Sequence, residues 1–403
     1  MKKRRIVITG VGCVSPYGTG LTALMTGINN YKCSLKLDNY LDRKYVVGKV
    51  PDFNEKDIPI EHGRTMPRMG KYAYTATREA LIGANINPFT IDFSTISTVI
   101  ASGYGSAIVS EKIFEELLRT GKIKSISASL VLQMLGNITA SNVASAFGFK
   151  GRCIAPAAAC AGGIQSVITA YESMLLGKTD VVVCGGAEEF HNLTHMTFLK
   201  LGIASTGIDP SYSSVPFDTN RTGIVCSEGA GIFVLEEFNK NKNRKDYFAE
   251  IVGVGTNNST DMVYSNKNSI IECMKEALDD AHLKPEDITH INTHATGTPE
   301  GDISEGLAIS ELFPHRPYVN ILKGYLGHTM AASGAIELIA NIVSLSKGLW
   351  YGVNNLRDYD TKCGDLNINT SHIVTPEPKY LLKNSFGLGG INTTIIVKIN
   401  KGE

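Results

Sequence analysis

The chain repeats itself, and that repetition limits its folds more than any other feature. Segment 76–98 (ATREALIGANINPFTIDFSTIST) resembles segment 273–292 (CMKEALDDAHLKPEDITHIN). Each has a helical stretch bearing Glu-Ala-Leu, then a proline, then an isoleucine-containing entry to a strand. Segments 159–178 (ACAGGIQSVITAYESMLLGK) and 330–348 (MAASGAIELIANIVSLSKG) are both small-residue turns that open a helix. The two stretches RIVITGVG and FAEIVGVG stand near residues 5 and 248. At roughly 150 residues per domain, 403 residues would make two or three domains; the echoes instead predict one α/β unit of about 200 residues made twice. The division is expected at 1–240 and 241–403.

Short Val- and Ile-rich runs bounded by glycine predict buried strands at Arg5–Gly12, Thr98–Gly103, Asp180–Gly186, Gly231–Glu236, Ala249–Gly255, Ile288–His294, Tyr318–Lys323 and Ile391–Ile399. Helical spacing joins Ile164, Val167, Ile168, Tyr171, Met174 and Leu175, and less strictly Ile336, Ile339, Ala340, Val343 and Leu345. Strands alternating with helices predict an α/β protein with a largely parallel sheet.

Composition narrows the function. Lys+Arg and Asp+Glu are 39 each, so no net field exists to hold a polyanion, and nucleic-acid binding is disfavoured. The eight cysteines contain no Cys-x-x-Cys, which argues against a zinc site or disulfide framework and for reduced thiols in the cytoplasm. No window approaches 18 uninterrupted apolar residues, so no membrane span is expected. The 40 glycines exceed the average share and call for tight turns or close backbone contacts.

Candidate chemistry gathers where strands give way to turns. Cys160 ends the small-residue stretch CIAPAAAC and immediately precedes a helix, where the dipole and free N–H groups favour thiolate. His294 lies in INTHATGTPEGDISE, and His328 in ILKGYLGHTMAASGA with Lys323 five residues ahead. Such junctions are where sheet proteins of this class place ligands. Taken singly, each residue reads equally well as core or surface; their coincidence at matching ends of two repeats points to one seam. A partial Gly-x-Gly pattern in ITGVGCVS offers a rival dinucleotide reading, weakened by Ser15 at the third glycine position.

These residues resemble the elongating β-ketoacyl-acyl-carrier-protein synthases. The blocks that carry the resemblance are AACAGG around Cys160, PFDTNRTGIVCSEGAG at 216–231, THATGTPEGDISE at 293–305, LKGYLGHTMAASGA at 322–335 and NSFGLGGIN at 384–392. The resemblance covers nearly the whole chain. It implies a duplicated thiolase-like fold in five αβαβα layers, and decarboxylative Claisen condensation of a malonyl thioester with an acyl group held on Cys160. It implies His294 and His328 as paired histidines, Lys323 as the lysine that organises them, and Glu305 as a buried structural carboxylate near that lysine. The backbone N–H groups of Cys160 and Leu388 would form the oxyanion hole. No metal or organic cofactor is implied.

The chemistry demanded is consistent with those side chains. Thioester exchange needs a nucleophilic thiol, and two imidazole N–H donors could hold the enolate charge that decarboxylation builds. The implied partners are an acidic acyl carrier protein and a second copy or paralogue of the chain. Arg64, Arg68 and Lys71, at i, i+4 and i+7, would dock the carrier from one face if their segment were helical. The chain departs from the family pattern at Leu388, where Phe is usual, and at Ile321, Thr222 and Ala331 in place of Ser, Asp and Gly. Those departures suggest a specialised ketosynthase of a polyene or type II polyketide pathway. A non-catalytic chain-length partner is the other alternative, and it would lack the nucleophile that Cys160 supplies.

Overall fold

A computed structural model describes residues 4–87, 89, 91–238, 246–375 and 378–400. The first half supplies strands β1 (Ile6–Ser15), β2 (Ser97–Ala101), β3 (Cys153–Ile154), β4 (Val181–Glu188) and β5 (Gly229–Glu237). The second supplies β6 (Ala249–Asn258), β7 (His290–Asn292), β8 (Tyr318–Asn320), β9 (Asn367–Ile368), β10 (Tyr380–Gly387) and β11 (Ile391–Ile399). Their spatial order is β9-β8-β7-β10-β11-β6-β1-β5-β4-β2-β3. Read outward from the β6/β1 junction, both halves run antiparallel, antiparallel, parallel, parallel. That matched order is the duplication in three dimensions. The expected division between residues 240 and 241 lies outside the described residues.

The sheet is therefore mixed, which corrects the expectation of a largely parallel one. A hairpin forces the antiparallel pairing of β10 with β11: Gly387 pairs with Ile391, leaving only Leu388, Gly389 and Gly390 to turn the chain. The halves touch edge to edge through three residue pairs, Ile6 with Ile251, Val7 with Glu250 and Ile8 with Ala249.

Helices cover both faces of each half. On the outer face of the first half lie α1 (Arg68–Gly83) and α2 (Ile138–Phe147), where Tyr72, Ala76, Ala80 and Val143 pack with Val183, Ile232 and Val234. On the outer face of the second lie α4 (Lys267–Ala281) and α5 (Pro299–Leu312), where Met274, Ala277 and Ile309 pack with Ile291, Leu382 and Ile396. Between the sheets run α3 (Gly162–Leu175) and α6 (Ser333–Ser346), whose Ile164, Val167, Ile336 and Ile339 share one core with Val182, Phe233, Leu381 and Ile395. Five layers result, helix–sheet–helix–sheet–helix. Adjacent β4 residues Val182 and Val183 belong to different cores, so both sheet faces are dry, and strands of this kind read as unbroken apolar runs. The middle layer also explains the loose periodicity of α6, which is buried at every position from Ser333 to Leu345 and so has no polar face.

The repeated Gly-Val-Gly now has a physical reason. A Cβ on Gly10 or Gly12 would stand 2.0 Å from the carbonyl oxygen of Ala80 or Ala76 in α1. A Cβ on Gly253 or Gly255 would stand 2.2 Å from that of Ala277 or Cys273 in α4. Each half thus seats a helix directly on a bare strand. Gly10 and Gly12 lie inside β1 rather than in a strand-to-helix turn, which overturns the dinucleotide reading. Among the described residues, no helix is long and apolar enough to cross a membrane.

Candidate active site

Cys160 sits in a single 3₁₀ turn, Ala159–Ala161, that leads straight into α3. Ala159 is held at φ 44°, a left-handed conformation that is strained for alanine. The second half repeats this elbow: Met330–Ala332 is also a 3₁₀ turn, Met330 is at φ 50°, and α6 follows. The two elbows meet at the seam, since a Cβ on Gly163 would lie 2.6 Å from the Ala331 carbonyl oxygen. Strand β10 closes the site from behind. A Cβ on Gly387 would lie 2.6 Å from the Ala158 carbonyl oxygen, and Ser385 Oγ reaches the Cys160 carbonyl oxygen at 3.4 Å. The β10–β11 hairpin thereby brings the Leu388 backbone to the elbow.

One cavity unites Cys160, His294, His328, Phe386 and Leu388, with Phe198, Ile203 and Ile224 among its apolar walls. Tyr45 and Val47, from the hairpin Lys36–Tyr40 and Arg43–Val47, join the same apolar cluster as Cys160. The rings of His294 and His328 stand 5.4 Å apart and nearly perpendicular, and Phe386 meets His294 edge-on at 5.4 Å. Neither Nδ1 nor Nε2 of His328 has a protein partner among the described residues, nor does Nδ1 of His294. Both rings belong to residues that line the cavity.

The electrostatics favour neutral rings. Burial is the largest influence holding both imidazoles well below their usual range, and the ammonium charges of Lys323 and Lys383 push the same way. Burial likewise pushes the Cys160 thiol up to about 12; Glu188 adds to this and Lys323 opposes it. The expected resting thiolate is corrected accordingly. The helix N-terminus is present, but for this buried residue desolvation of the thiolate outweighs it. The resting thiol is therefore protonated, and the neutral imidazoles of His294 and His328 share its cavity.

Beneath the histidines lies a charge cluster. Lys323 Nζ is 2.7 Å from Glu337 Oε1 and donates to the His294 carbonyl. Lys383 Nζ donates to the Thr293 carbonyl at 3.0 Å and stands 3.3 Å from Glu337 Oε2. Burial disfavours the Glu337 charge, but the two lysines and Ser333 Oγ outweigh it and hold the carboxyl at about 2. The carboxylate paired with Lys323 is thus Glu337, a residue not singled out in the sequence. Glu305 is buried, yet its oxygens accept from the N–H groups of His294 and Ala295 and from Asn384 Nδ2. It fixes the turn that carries His294. Glu337 and Lys383 were missed because a charge inside an apolar segment usually marks a surface; only the uninterrupted apolar character around Glu337 hinted at burial.

The cationic face expected at Arg64, Arg68 and Lys71 does not form. Pro67 separates a short helix, Ile60–Gly63, from α1, so Arg64 closes the first and Arg68 opens the second. Arg64 and Arg68 are exposed, whereas Lys71 is paired with Glu55.

Comparison with known proteins agrees with this fold. The family models for "Beta-ketoacyl synthase, N-terminal domain" and "Beta-ketoacyl synthase, C-terminal domain" match residues 3–241 and 248–357. A Saccharomyces cerevisiae protein named as a 3-oxoacyl-[acyl-carrier-protein] synthase homolog is 33 % identical, over 99 % of this chain and 100 % of its own. A β-ketoacyl synthase structure from Burkholderia phymatum superposes with a TM-score of 0.93 at 30 % identity, covering 98 % of this chain and 100 % of the other. A type II polyketide ketosynthase solved in complex with its acyl-carrier protein gives a TM-score of 0.90 at 25 % identity, covering 99 % and 100 %. The matches define a ketosynthase of the thiolase-like fold. The chain belongs to the β-ketoacyl synthase family.

Proposed function

We propose that the chain elongates acyl chains by decarboxylative condensation, with Cys160 as the acyl carrier residue. The Cys160 sulfur attacks an acyl thioester of an acyl carrier protein, passes its proton to an imidazole, and expels the carrier thiol. A malonyl thioester then loses CO₂, and the electron pair freed by C–C cleavage becomes an enolate. His294 and His328, held neutral, donate N–H bonds to the enolate oxygen as its charge develops. The enolate carbon attacks the acyl–Cys160 carbonyl, whose oxygen is received by the Cys160 and Leu388 N–H groups. Collapse breaks the C–S bond and leaves a β-ketoacyl carrier thioester, and the Cys160 thiolate released takes up one proton from solvent to regenerate the thiol. The step needs no outside reductant or metal, because loss of CO₂ drives it.

The observation that carries this reading is the single cavity joining a buried cysteine to two unpartnered imidazoles. The carrier is an acidic protein docking near the exposed cations Arg64 and Arg68, and the chain works in the cytoplasm as a dimer with itself or a paralogue. A specialised role in polyene or polyketide synthesis is favoured by Leu388, a branched aliphatic side chain on the cavity wall, where a planar ring would gate differently. Mass spectrometry of products from a panel of saturated and polyunsaturated acyl carriers with malonyl carrier tests both. A product longer by two carbons, with CO₂ released, supports condensation; none with any acyl carrier overturns it. Equal or faster turnover of saturated medium chains would remove the specialised reading alone.

A further inference from the structure

One fully buried cation is left over by the steps above. Lys383 lies on β10 at 0 % exposure, within the buried polar cluster beneath the histidines, and it is not among the residues that line the cavity. Its contacts are specific. Lys383 caps the Thr293 carbonyl while Lys323 caps the next one, that of His294, and Glu337 takes one lysine on each oxygen. Asn384, the residue after Lys383, holds Glu305, which in turn holds the N–H groups of His294 and Ala295. Consecutive residues of one strand therefore clamp both edges of the His294 turn.

We propose that Lys383 is a positioning residue for condensation: it fixes the Thr293–His294 turn and adds a second positive charge beneath the paired imidazoles. The inference rests on the function proposed above and deepens it. With Glu337 ionised between two ammonium groups, Lys383 makes the charge close to both rings one unit more positive than Lys323 and Glu337 alone would, with Glu305, whose own charge burial disfavours, as the counterweight on the far side. The added positive charge disfavours imidazolium, so His294 and His328 stay neutral donors, and it favours the enolate that they receive. Acyl transfer to Cys160 builds no enolate, so the requirement falls on the decarboxylation step.

The charge at this position is itself titratable. Burial, aided by Lys323 and opposed by Glu337 and Glu305, lowers the Lys383 ammonium to about 8. Those three charges, with His294 and His328, are the titratable groups that face it from α6, the Lys323–Leu326 turn, α5 and the two histidine turns. The sign follows directly. Below about pH 8 the charge is present; as pH rises through that value it is lost, and the native protein comes to resemble a neutral variant.

Two variants of the full chain separate charge from structure. Lys383→Gln keeps a donor for the Thr293 carbonyl and removes the charge, whereas Lys383→Met removes both. Intact-mass kinetics would follow acyl transfer onto Cys160, and CO₂ release from a malonyl thioester would follow decarboxylation, each from pH 6.5 to 9. In Lys383→Gln, decarboxylation should fall on the order of tenfold at pH 6.5, less than loss of a donor touching the oxyanion would cause, while acyl transfer, whose imidazolium the lost charge opposed, is not slowed. Native and variant rates should converge above pH 8. A ratio independent of pH, or a Gln variant equal to native at pH 6.5, overturns the proposal while leaving condensation intact. A native protein that acylates Cys160 but releases no CO₂ overturns the proposed function and this inference together. Lys383→Met should reproduce the convergence on top of lower stability, and the Gln variant decides alone if Met fails to fold.

Discussion

Glu337 and Glu188 are both enclosed, yet burial prevails at one and is overcome at the other. Lys323 and Lys383 hold Glu337 at about 2, below its usual 4.5. The stability this gives is complete above about pH 4.5 and lost as pH falls toward 2. Glu188 accepts from the Gly103 N–H at 2.7 Å, but has no cationic partner, and burial raises it to about 8. Here the folded state keeps a proton that the unfolded chain has released, so stability falls as pH rises from about 4.5 to 8, with a limiting slope of about 1.4 kcal/mol per pH unit. Glu188→Gln should flatten that decline, read as the difference in urea unfolding free energy between pH 5.5 and pH 8; an unchanged difference would contradict the assignment. Glu337→Ala leaves two buried ammonium groups without a carboxylate and should destabilise the fold by about 3–5 kcal/mol in denaturant titration. A loss under about 1 kcal/mol would mean that the lysines find other partners.

Among elements, the strand–helix contacts at the two Gly-Val-Gly sites leave no room for a side chain. Any side chain at Gly12 or Gly255 would drive α1 or α4 off its strand, because the obstacle is backbone. Gly12→Ala and Gly255→Ala should each cost roughly 1–3 kcal/mol, by amounts similar in the two halves, measured by chemical denaturation. A tolerated alanine at either would show that the helix can shift. The same packing explains why so much of the fold was legible. All eight apolar runs form strands because helices cover both sheet faces, and α3 shows clean periodicity because its exposed end retains polar residues. Strand β10 escaped notice because Lys383, Asn384 and Ser385 interrupt its apolar run; all three are buried, and each is satisfied by a partner far away in sequence. The Lys36–Val47 hairpin escaped for the opposite reason, with too few buried positions in its first strand to show a pattern. Sequence alone placed Cys160, His294, His328 and Lys323 at strand ends, but not the carboxylate that joins them, since Glu337 lies fourteen residues from Lys323 on a separate helix.

At the scale of the whole molecule, the duplication sets two helix elbows against each other and puts a cysteine on only one of them. Cys160 stands at the first elbow and Ala331 at the corresponding position of the second, so the seam is symmetric in backbone and asymmetric in chemistry. The zero net charge leaves partner choice to local patches. Reversing Arg64 and Arg68 to Glu should raise the apparent KM for carrier-bound acyl groups severalfold and leave that for a small thioester mimic unchanged, with a salt dependence that weakens in the variant. Equal losses on both substrates would place the carrier elsewhere. The central claim is that Cys160 holds the growing chain as a thioester, and intact-mass measurement after exposure to an acyl carrier tests it most directly. The native protein should gain the mass of one acyl group, lost again on addition of hydroxylamine, and Cys160→Ala should gain nothing. No adduct on the native protein, or an adduct that persists in Cys160→Ala, would contradict it.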